Sequence, residues 1–316
     1  MQKMKFSVSL ALWASVLIFG FCLTTATSAD SGSIDTVEQF ESRFVDARRV
    51  DVWLPDGYSA SGPALPVIYA QDGQNLFRSG TAAFGGTEWQ FDETIAKLVA
   101  DQKIRPAIVV GIWNTQKRFL EYAPEIPVNS LPESIRLETI QSVTKHYGAS
   151  AGADGVPLGD SYLKFMVEEL KPYIDEHYNT LPNRADTFLI GSSMGGLISI
   201  YALARYPDIY GGAMCLSTHW PLSIEENRHE PADAIIAYLD SALPQAGQHR
   251  IYFDFGTETL DAWYEPHQSK MDKVMASHGY VQGKDWITMK FEGEPHNENA
   301  WKKRLHIPVE MMLKTE

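Results

Sequence analysis

The chain has 316 residues, 44% of them hydrophobic, and a formal charge of −13. That acidity, with no basic run beyond Lys302-Lys303-Arg304, repels nucleic acid and anionic membrane surfaces and excludes both as partners. The hydrophobic share is large enough to build a core without crosslinks.

In chain order, Lys3 and Lys5 lead an apolar run from Leu10 to Leu23, and Thr27-Ser28-Ala29 supplies small residues before Asp30. This is the layout of a bacterial secretory signal peptide over residues 1–29. The run is short for a membrane span and no stop-transfer pattern follows. Cys22 lacks the small preceding residue of a lipid-modified cysteine. The expected mature chain, 30–316, is a single domain, periplasmic or secreted, with no stable membrane association. It keeps only Cys215, so no internal disulfide is possible.

Strands and helices then alternate. Residues 49–54 alternate polar and apolar and stop at the turn Pro55-Asp56-Gly57. Residues 66–70 and 107–112 are continuous apolar runs, the mark of strands buried on both faces. A helix is predicted between them at 89–98. The spacing of Leu163, Met166, Val167, Leu170, Tyr173 and Ile174 predicts another from Ser161. Strands follow at 187–190, 213–216, 251–255 and 287–291, with helices after 193, at 231–240 and at 262–278. Pro207 stops the first of these. The pattern is α/β, a mostly parallel central sheet with helices on both faces. Only 129–160 reads as irregular, its end from Gly148 to Gly159 rich in Gly, Ala and Ser; it is either a flap over a site or a solvated insertion.

The apolar run 187–190 leads into Gly191-Ser192-Ser193-Met194-Gly195-Gly196 and then into a helical pattern. A strand, a sharp turn and a helix with a serine at the apex form a G-x-S-x-G nucleophile turn, whose glycines avoid collision between strand and helix. A serine hydroxyl is a weak nucleophile at neutral pH, so it needs a base in reach and a carboxylate to orient that base. On such a sheet these arrive in the order Ser, Asp or Glu, His, from loops after later strands. Residues 256–261 supply two carboxylates, Asp261 as the first candidate and Glu258 as its alternative. Residues 292–298 supply His296. The developing oxyanion calls for two N–H donors: that of Met194, directly after the serine, and that of Gln74, in the turn Gln71–Phe77. Asp254 lies within its strand and is expected to be consumed by buried hydrogen bonds. Trp89, Trp113, Trp220 and His219 flank strand ends where ligands bind such sheets, and are expected either to contact substrate or to pack. Arg118 is either a handle for an acidic substrate or one half of a salt bridge.

The segments Asp72-Gly73-Gln74-Asn75-Leu76-Phe77, Gly191–Gly196, Thr259-Leu260-Asp261-Ala262 and His296-x-Glu298-x-x-Trp301 resemble the Putative esterase family of the α/β-hydrolase superfamily. That family includes esterase D-like enzymes, enterochelin-type siderophore esterases, feruloyl esterases and mycolyltransferases. The resemblance spans about residues 45–313. It implies an α/β-hydrolase fold, no metal or organic cofactor, Ser193, Asp261 and His296 as a triad, and ester hydrolysis, but not a substrate; a small-molecule or glycan ester is the expected one. Acyl transfer by the same triad is the first alternative. A non-catalytic binding protein on the same scaffold is the second. No H-E-x-x-H or paired-cysteine spacing favours a metal.

Overall fold

The computed structural model describes residues 31–83, 86–147 and 156–315. The expected leader and the stretch 148–155 lie outside the described residues. Eight strands make one sheet: β1 Ser33–Phe40, β2 Arg48–Leu54, β3 Val67–Gln71, β4 Ile108–Ile112, β5 Thr187–Ser192, β6 Gly212–Leu216, β7 Arg250–Glu258 and β8 Trp286–Pro295. Their order is β1-β2-β4-β3-β5-β6-β7-β8. β1 pairs antiparallel with β2 and β2 antiparallel with β4; every later pairing is parallel. The expected α/β class, mostly parallel, is the one observed.

The parallel strands are sandwiched. Every residue of β3, β4, β5 and β6 is buried, which is why they read as unbroken apolar runs. On one face pack a helical run from Gly159 to His177, the helix Met194–Arg205 and the helix His229–Ala242. On the other pack Phe91–Ala100 and His306–Leu313. Each fully buried Leu, Ile or Val on these faces contributes on the order of 1.5–3 kcal/mol through removal from water. Among the described residues no helix is long and apolar enough to cross a membrane.

Three sequence expectations change. The stretch 129–160 is not irregular throughout, because Glu133–Tyr147 is helical. Its Glu, Arg, Leu and Gln residues are good helix formers, but its apolar stripe is too weak to read as a buried face. The predicted helix 262–278 is a short 3-10 turn, Thr259–Trp263, followed by the helix Glu265–Ser277, with Pro266 in its first turn. Strand β1 was not expected at all. It is an edge strand, largely exposed and mostly polar, so it lacks the apolar run that marks the central strands.

Candidate active site

Backbone strain gathers at one end of the sheet. Asp72, Ser193, Ser217 and Thr259 have φ of 59°, 56°, 44° and 56°, and each is the residue directly after β3, β5, β6 or β7. A non-glycine residue in this region costs about 1–3 kcal/mol, and such strain concentrates at functional sites. The four loops meet at a cavity of about 480 Å³, within the usual range for a small-molecule site.

Ser193 sits at the apex of its turn with φ 56° and ψ −122°. A Cβ at Gly191 would lie 2.4 Å from the carbonyl carbon of Gly195, so only glycine lets the chain reverse this sharply into the helix. Ser193 N–H donates to Leu216 O at 2.9 Å, and His219 N–H donates to Ser193 O at 3.2 Å, which ties the turn to the loop after β6.

The parallel pairing of β7 and β8 shifts register after Gly256 and ends at the pair Glu258–Pro295, so the next residues of each strand leave the sheet side by side. His296 Nδ1 and Asp261 Oδ1 are thereby 2.5 Å apart. The second oxygen of Asp261 accepts from Ser217 Oγ at 2.6 Å and from Gly256 N–H at 2.5 Å. A Cβ at Gly256 would lie 2.0 Å from Glu294 O, so glycine is needed for that donor to stand where it does. Burial opposes the charge on Asp261. The bond and charge of His296, together with the other two donors, outweigh it and hold the pKa below the usual carboxylate value. Glu258, by contrast, is exposed.

Behind Asp261 lies a buried network. Ser217 has one proton and two lone pairs. It gives the proton to Asp261 and accepts from Trp301 Nε1 at 2.9 Å and Arg304 Nη2 at 2.8 Å. Arg304 forks onto Asp254 at 2.8 and 3.0 Å, and Tyr252 Oη donates to Asp254 at 2.9 Å. Asp254 is consumed in hydrogen bonds, as its place within a strand suggested.

Ser193, Met194, His219 and His296 all line the cavity. His219 is buried, with its Nδ1 2.6 Å from Tyr264 Oη and its Nε2 without a partner among the described residues. Burial, then the neighbouring His296, pushes its pKa down to about 3, so it is neutral at physiological pH. The unfolded chain binds this proton near pH 6.5 while the fold does not. Stability is therefore full above that pH and falls as the pH drops toward 3, by about 1.4 kcal/mol per pH unit. Between pH 7 and pH 5, urea unfolding of His219→Asn should lose about 2 kcal/mol less than the wild type. Equal losses would mean that His219 is not held neutral.

The three tryptophans take other places. Trp89 is buried with its ring centroid 5.8 Å from that of Trp301. Trp113 Nε1 donates to Asp51 at 2.8 Å beneath the Arg49 guanidinium. Trp220 is fully buried, its Nε1 on Gln268 at 3.3 Å. None of them lines the cavity, and the wall tryptophan is Trp301, whose ring meets His296 edge-on at 5.0 Å between centroids. Gln74 lies in the 3-10 turn Gly73–Asn75, between the lining residues Asp72 and Asn75. Its Oε1 accepts from Asn114 N–H at 3.3 Å. No described residue of 129–160 lines the cavity; Asn114, Thr115, Gln116, Arg118, Phe119 and Ile224 do. Arg118 clamps Asp72 through two bonds of 2.7 Å, and Asn114 Nδ2 adds a third at 2.6 Å. Glu298 also borders the cavity. The sequence carried a hint of both: Arg118 near Asn114, and Glu298 two residues from the histidine.

The chain matches the Putative esterase family model over residues 42–306. A curated relative, the uncharacterized protein YbbA of Bacillus subtilis, is 26% identical over 212 residues, covering 67% of this chain and 68% of that protein. Among solved structures, the enterobactin esterase of Shigella flexneri superposes with a TM-score of 0.60 at 15% identity, over 89% of this chain and 58% of the other. This chain thus spans little more than half of that esterase. The ferulic acid esterase of the anaerobic fungus Anaeromyces mucronatus superposes with a TM-score of 0.59 at 18% identity, over 92% and 93% of the two chains. The likeness to these structures is one of fold. The family match, covering most of the sequence, places the chain in the Putative esterase family, an esterase built on the α/β-hydrolase fold.

Proposed function

We propose that the protein is an exported serine hydrolase of carboxylic esters working through an acyl-serine intermediate. The observation that carries this reading is the Asp261–His296 bond, 2.5 Å, at the edge of a cavity that also holds the strained Ser193. His296 takes the proton of Ser193 as the hydroxyl attacks the ester carbonyl. Asp261 holds the imidazole in the tautomer with Nδ1 protonated and stabilises the cation that forms. His296 then gives its proton to the departing alcohol and afterwards activates water to release the acid.

The N–H groups of Met194, directly after the nucleophile, and of Gln74, in the turn after β3, are assigned to the oxyanion. Two neighbouring donors are already spent, Ser193 N–H on Leu216 O and Asn75 N–H on Asp72 O. Met194 begins a 12-residue helix, whose dipole also favours negative charge there. The substrate is a small-molecule or glycan ester, and the names of the enterobactin and ferulic acid esterases support the small-molecule class. The leader pattern of residues 1–29 supports export to the periplasm or beyond.

Product analysis with an aryl ester, in the presence and absence of glycerol, tests the hydrolytic outcome. Free acid as the sole acyl product supports it. Accumulation of glyceryl ester would replace it with acyl transfer.

A further inference from the structure

We propose that Glu298 reads the alcohol part of the ester, favouring polyhydroxylated alcohols and disfavouring those that carry a carboxylate. This rests on the serine-hydrolase reading above. Glu298 is only 6% exposed, yet it borders the cavity at the start of the helix Glu298–Arg304. Among the described residues its side chain has no hydrogen bond or ion pair to another side chain; its own backbone N–H is the one donor that touches it. A carboxylate this buried is costly unless it is paired, and the cavity is the side from which a partner can come.

The surrounding charges sharpen the preference. The cation whose charge reaches Glu298, Arg118, is clamped by both oxygens of Asp72. Burial first, and the charge of Asp72 beyond what Arg118 offsets, raise the pKa of Glu298. His219 is neutral. A second carboxylate entering this wall meets like charge, whereas an O–H donor meets an acceptor with free lone pairs. The position favours the alcohol side: the leaving oxygen takes its proton from His296, two residues earlier, so the wall built by His296, Asn297 and Glu298 borders the departing group.

The test measures kcat/KM on three butyrate esters that differ only in the alcohol: glycerol, ethanol, and glycolate esterified through its hydroxyl. The wild type should prefer the glyceryl ester to the ethyl ester at least tenfold and use the glycolate ester least. Glu298→Leu should bring the glyceryl-to-ethyl ratio close to one. Glu298→Gln keeps an acceptor but loses the charge, so it should retain part of the glyceryl preference and raise the glycolate ester at least tenfold. Fluorophosphonate labelling at Ser193 reports whether each variant is folded. Should Glu298→Leu fail to label, the wild-type ratio and the glycolate gain of Glu298→Gln decide the matter. An unaltered ratio in Glu298→Leu, or no glyceryl preference in the wild type, overturns the proposal. Labelling without turnover of the glyceryl ester overturns it too, leaving the hydrolase reading standing. A wild type that neither labels nor turns over any ester contradicts that reading itself.

Discussion

Ser193→Ala should lower kcat on an activated aryl ester by about 10⁶, because loss of the nucleophile in a serine triad removes nearly all chemistry beyond that of the oxyanion donors and binding. The fold should survive. Ser193 is one of the few residues of its turn that is not fully buried, its backbone bonds to Leu216 and His219 do not involve the hydroxyl, and alanine keeps the Cβ. Its positive φ is as strained for alanine as for serine, so the unfolding midpoint in urea should barely move. A loss of less than about tenfold in kcat, with the midpoint intact, would mean that another group carries the reaction.

The second large effect belongs to Asp261. Asp261→Asn should cost about 10⁴ in kcat, the size seen when an asparagine replaces a triad aspartate and stabilises the wrong imidazole tautomer. The neighbours here make the asparagine orientation predictable. Gly256 N–H and Ser217 Oγ both donate to one oxygen of Asp261, so the amide oxygen stays with them. The amide NH₂ then faces His296 Nδ1, which must become an acceptor and put its proton on Nε2. That nitrogen would then be unable to take a proton from Ser193. Glu258→Gln provides the contrast, since Glu258 is exposed and its change should leave kcat within about threefold. A large loss in Glu258→Gln with little in Asp261→Asn would reverse the assignment of the acid.

The central sheet was legible because its parallel strands are buried on both faces. Ile108–Ile112 and residues 188–190 of β5 are apolar in sequence for the same reason that they are solvent-free in the fold. The serine turn was legible through steric need, since glycine at 191 is forced by contact with Gly195. The meeting of a carboxylate with His296 could be read because the loops after β7 and β8 open on the same edge. The choice between Glu258 and Asp261 could not. It depends on the 3-10 turn Thr259–Trp263, which swings Asp261 inward, and no periodicity announces a turn of that length. The cavity wall was legible only in part. Trp89, Trp113 and Trp220 stand near strand ends in sequence, but an aromatic ring can lie above a strand end or beneath it, and these three lie away from the cavity. Ser217, Trp301 and Arg304 are separated by up to 87 residues. Only the fold gathers them behind one carboxylate, with Trp301 and Arg304 on the hydroxyl that bonds Asp261.

The most direct measurement is the intact mass of purified protein after fluorophosphonate treatment, with Ser193→Ala alongside. A single adduct on the wild type, absent from the variant, is what an activated Ser193 predicts. No adduct on folded wild type, or an adduct that persists in Ser193→Ala, would contradict the central claim.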